Sequence, residues 1–185
     1  MIDKPGRDTP RFPPECEPAV AHAINEQLAA LGARGGDLAL TQGACGADLL
    51  FAEALLARGA SLHLHLPLDV QSFIARSVGF RKADSSIPDR WAERFGAVLA
   101  HPSVRATVMP TDFDAKQQSE NIFERCNHWM LERALAYGPS KVQFICVWNG
   151  EGGDGRGGTD HLREAVRQRG GSECWIDIRP LCAKR

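Results

Sequence analysis

The chain has 185 residues, 43% of them hydrophobic and 24% charged, and its 22 Lys and Arg against 23 Asp and Glu leave a net charge of −1. That length suits one domain, spanning 1–185, which can bury a core without disulfides or a structural metal. A near-neutral balance, with basic residues spread along the chain, argues against an electrostatic grip on nucleic acid. No stretch approaches the roughly 18 apolar residues of a membrane span, and the first fifteen residues lack the apolar centre of a secretory signal. The expected setting is cytoplasmic, with no membrane and no nucleic acid as partner.

In chain order, residues 1–15 are Pro-rich and polar and form an arm. A helix follows to about residue 31, with Val20, Ile24 and Leu28 on one face and Pro18 in the first turn. Residues 37–41 are a short strand, 47–58 an amphipathic helix stopped by Gly59, and 61–66 a strand alternating Leu62, Leu64 and Leu66 with His63 and His65. Strand, turn, helix and strand in that order make a βαβ unit and therefore a parallel sheet.

The middle is less regular. It holds a short helix at 69–78, a polar loop at 79–88, and a helix marked by Trp91, Phe95 and Val98. A weak strand at 104–109, a loop, and a long helix over 119–137 carrying Ile122, Cys126 and Trp129 on one side come next. The run at 142–148 is continuously apolar, as in a central strand covered on both faces. A glycine-rich segment, a helix at 159–169 and a last strand at 174–178 complete the chain. The fold class is α/β, a Rossmann-like three-layer fold with a mainly parallel sheet and helices on both faces.

In such sheets ligands bind beyond the carboxyl ends of the strands, where helix N-termini converge. Two glycine-rich turns fall there. The first contains Gly43, Ala44, Cys45, Gly46 and Asp48. The second has six glycines among the nine residues of 150–158 and leads to Thr159, placed as an N-cap whose hydroxyl either caps the helix or faces a phosphate. Glycine lets backbone N–H groups approach a ligand closely; it also simply permits a tight turn or a flexible loop. Both turns are expected to line one pocket.

Other chemistry-bearing residues have plainer readings. His63 and His65 share a strand face but lack a third ligand at a telling distance, so no metal is expected. Asp112 and Asp114 read as solvated loop residues, and Trp91 and Trp129 as core. His161 faces either ligand or solvent. Cys45 stands at a helix N-terminus, which favours its thiolate, without an adjoining histidine base. None of the six cysteines makes a CxxC pair, and all are expected to be free thiols.

The stretch Gln42-Gly-Ala-Cys-Gly-Ala-Asp48, the helix and alternating strand after it, the Asn127-His-Trp-Met130 segment, and Gly155-Arg-Gly-Gly-Thr159 together resemble the SLOG superfamily. That group includes the cytokinin-activating LOG proteins, the DprA recombination mediators and the YspA-like proteins. The opening residues resemble bacterial domains joined to signalling modules. The resemblance implies a nucleotide-type ligand held by Gly43, Ala44, Cys45, Gly46, Asp48, Asn127, Gly155, Arg156, Gly157, Gly158 and Thr159. The chain departs from LOG enzymes at the catalytic glutamate, where the helix carries Asp160 and Glu164 instead, and from YspA-like proteins in that Arg125 is displaced by one from its asparagine partner.

The leading expectation is therefore a nucleotide-sensing domain, with no cofactor and with oligomerisation or a signalling partner as its output. One alternative is a LOG-like phosphoribohydrolase in which Asp160 or Glu164 stabilises an oxocarbenium ion and Arg125 holds phosphate. The other is a protein-interaction domain without catalysis.

Overall fold

The computed structural model describes residues 1–3, 10–79, 90–113, 121–151 and 159–183. A short 3-10 turn at Pro14–Cys16 leads into α1 (Glu17–Ala30), with Pro18 in the first turn, where its missing N–H costs nothing. There follow β1 (Leu38–Thr41), α2 (Ala47–Leu56), β2 (Ser61–Leu66), α3 (Val70–Phe73) and a turn of π-helix at Ile74–Val78. The second half runs through α4 (Arg90–Leu99), β3 (Val104–Val108), α5 (Ile122–Leu135), β4 (Gln143–Trp148), α6 (Thr159–Gln168), β5 (Ser172–Asp177) and α7 (Ile178–Cys182).

Every strand pairing is parallel, in a mixed α/β fold whose sheets are flanked by helices. β2 is the centre of one sheet, pairing Leu64 with Thr41 of β1 and with Ala106 of β3. Its alternation sorts the layers. Leu62, Leu64 and Leu66 are fully buried in the main core with Val20, Ile24 and Leu28 of α1, Leu49 and Leu55 of α2, and Phe95 of α4. The opposite face carries His65, whose ring meets Trp129 of α5 edge-on at 4.5 Å. α4 is tied to both α1 and α2, because Arg94 donates to Glu17 and Glu53 (2.7 Å each) and its guanidinium lies 4.3 Å from the centre of the Trp91 ring.

Two expectations are corrected. The strands expected to share one sheet fall, among the described residues, into a β1–β2–β3 sheet and a separate β4–β5 pair. β4 is covered on both faces as expected, Ile145 and Val147 reaching the main core and Phe144 packing with Leu162 and Val166 of α6, but among the described residues it pairs with β5 alone and is not a central strand. Free thiols hold for Cys45, Cys126, Cys146 and Cys174 only. Cys16 and Cys182 form a disulfide with their Cα atoms 5.2 Å apart, an ordinary span for such a bond. Nothing in their spacing announces it, because the two residues lie 166 apart in sequence and meet only through the packing of α1 against α7.

Candidate functional site

The turn after β1 is built from buried backbone. Gly43 and Gly46 adopt φ values of +84° and +95°, which side chains rarely tolerate. The room they leave is filled by protein. A β-carbon on Gly43 would stand 3.1 Å from Leu64 and from Phe95, and one on Gly46 only 2.5 Å from the backbone nitrogen of Ile2. Cys45 between them is wholly buried, and its N–H donates to the Ser77 carbonyl at 2.9 Å. A solvent-facing reactive thiol at Cys45 is therefore excluded. Ala44 and Asp48 remain partly accessible, and the Ala44 N–H donates to the Asp48 carboxylate at 3.3 Å in the first turn of α2.

The N-terminal segment closes this turn from one side. The Ile2 N–H donates to the Cys45 carbonyl at 3.0 Å. Asp3, 5% exposed, accepts from the N–H groups of Arg11 and Phe12 at 2.7 and 2.8 Å. The arm expected over residues 1–15 is thus docked through its apolar residues, Ile2 and Phe12, both buried in the main core.

From the other side comes α5. The Gln42 amide donates to the Asn127 side-chain oxygen at 2.6 Å, across 85 residues of sequence. Cys126 beside it donates its thiol hydrogen to the His65 carbonyl at 3.3 Å, and burial pushes that thiol up to about 12. Asn127 is thus brought to the end of β1 by Gln42. Burial lowers His65 below its ordinary imidazole value, opposed by its hydrogen bond to the His63 carbonyl and aided by the His63 and Arg133 charges; burial, then the Arg105 and Arg133 charges, lowers His63. Among the described residues no group of three or more His, Cys, Asp or Glu is placed to hold a metal ion.

The turn after β4 begins the second glycine segment. Gly150 has φ +77°, and a β-carbon there would sit 3.2 Å from the Trp175 ring. The Trp148 indole N–H donates to the Glu151 carbonyl at 2.8 Å, and that of Trp175 to the Trp148 carbonyl at 2.9 Å. Gly155, Arg156, Gly157 and Gly158 lie outside the described residues, as does Asp114. Thr159 lies within α6. The helix is anchored by Arg163, which pairs with Glu173 at 2.9 Å and lies 5.1 and 5.2 Å from the Trp148 and Trp175 rings.

Asp160, Glu164 and Arg125 have the following neighbours. Asp160, with a side chain 71% exposed, lies 4.0 Å from Arg163, and Glu164 3.5 Å from Arg167. Arg125 donates to the carbonyls of Thr111 and Phe113 at 3.3 and 2.5 Å, a loop-fastening role. Asp112 is exposed.

No protein-family model matches the chain. No match is found among curated proteins or solved structures either. Among the described residues, no helix is long and apolar enough to cross a membrane.

Proposed function

We propose that this chain is a nucleotide-sensing domain of SLOG type, cytoplasmic and Rossmann-like, with its strands completing a three-layer arrangement. The ligand is a nucleotide or a nucleotide-derived small molecule, met by the partly accessible Ala44 and Asp48 of the first turn and by the glycine segment leading into Thr159. The observation that carries the reading is the 2.6 Å bond between Gln42 and Asn127. It joins at the carboxyl end of β1 two of the separate segments on which the resemblance rests. An anionic group suits such a place, because the first turn of a helix offers unpaired N–H donors and partial positive charge. Gly43 and Gly46 act from beneath, shaping the turn, and Gly157 and Gly158 belong to the same expected ligand set. Arg156 adds charge.

The test is mass spectrometry of small molecules retained by the purified protein, followed by calorimetry with each candidate found. A retained nucleotide that rebinds with one-to-one stoichiometry supports the reading. A protein that retains none, and takes up neither mono-, di- nor cyclic nucleotides, contradicts it.

A further inference from the structure

We infer that the Cys16–Cys182 disulfide is a redox clasp governing how firmly the supports of the two glycine turns are held; its effect on ligand affinity rests on the function proposed above. Each cysteine ends a segment that buttresses one turn. Cys16 closes the arm, in which buried Phe12 and Asp3 exchange backbone and carboxylate hydrogen bonds and Ile2 fills the space beside Gly46. Cys182 closes α7, whose Arg179 stands 3.7 Å from where a Gly150 β-carbon would lie and 6.0 Å from the Trp175 ring. α7 is only five residues long, too short to persist without anchorage, and its one fully buried side chain is Ile178. The bond joins residues 166 apart, so breaking it returns a large closure entropy to both ends.

Cys182 is partly accessible and Cys16 is 3% exposed, so a dithiol reductant attacks the Cys182 sulfur. The mixed disulfide forms there, Cys16 leaves as thiolate and takes a proton, and the reductant's second thiol closes on the first to release Cys182 as a thiol. Two electrons and two protons pass from the dithiol, which becomes the disulfide.

The experiment uses the full chain, oxidised or reduced with dithiothreitol. Thiol titration in denaturant is expected to count the four free cysteines before reduction and all six after it. Hydrogen exchange of residues 10–16 and 178–183 is expected to accelerate by about tenfold on reduction, with α5 unchanged. Cys182→Ser should match the reduced protein under oxidising conditions, and Cys174→Ser should match the oxidised one. AMP affinity is expected to fall by about threefold on reduction. Six thiols in the oxidised protein, unchanged exchange at both segments, or acceleration throughout the chain would each overturn the clasp. Local acceleration with no binding of mono-, di- or cyclic nucleotides in either state supports the clasp and tells against the nucleotide reading. Equal AMP affinity in both states overturns the coupling of the clasp to the site.

Discussion

Gly46 is the residue at which conformation and contact coincide: its φ of +95° is unfavourable for any side chain, and the Ile2 nitrogen occupies the place of a β-carbon. Gly46→Ala is expected to cost about 1–3 kcal/mol, read as a shift in the urea midpoint, and to loosen the arm in hydrogen exchange. An unchanged midpoint would show that Ile2 does not dock there. His65 gives a second expectation. Its folded pKa lies below the ordinary 6.5, so the unfolded chain binds the proton more readily. The stability it contributes is complete above about pH 6.5 and falls as the pH drops from there toward the lowered folded value. Urea midpoints at about pH 8 and about pH 5 should differ more in the wild type than in His65→Gln; equal differences would remove His65 as the cause. At this scale the sequence marks Gly43 and Gly46 as residues of a special turn without showing what meets them. A glycine in a strand-to-helix turn signals positive φ or close approach, and only the fold reveals that Phe95, Leu64 and Ile2 are what approach.

At the scale of elements, α5 is the helix whose docking decides whether Asn127 reaches the first turn. Trp129, 8% exposed, packs on His65 beside Met109 and Cys126. Trp129→Ala is expected to cost about 3–5 kcal/mol through the cavity it leaves. Asn127→Ala should cost about 1–3 kcal/mol, because it strands the amide of Gln42, itself only 8% exposed. Denaturant titration checks both, and an Asn127→Ala effect near zero would show that Gln42 finds another partner. β1, β2, α2 and α4 were legible because local period and turn chemistry agree there, most clearly in the Leu62, Leu64, Leu66 alternation. β4 was not. A continuous apolar run reads as a strand covered on both faces, but which strand lies beside it depends on contacts that periodicity does not record.

For the molecule as a whole, the disulfide links the first helical turn to the last helix. Its reduction is expected to lower stability by about 2–4 kcal/mol, measured as the difference in urea midpoint with and without dithiothreitol; no difference would mean that the bond constrains little of the unfolded chain. The two glycine turns were visible in the sequence as candidate ligand loops, since each follows a strand and precedes a helix. The roles of the arm, of Gln42 and of the Cys16–Cys182 bond were not, because each depends on residues far apart in sequence meeting in space. The most direct measurement of nucleotide binding is calorimetry of AMP against the oxidised wild type and Gly158→Val. A branched side chain at that position should fill the space a phosphate needs and abolish AMP binding while circular dichroism stays unchanged. Equal AMP affinity in the two proteins, or no AMP binding to the wild type, would contradict a phosphate-holding role for the glycine segment.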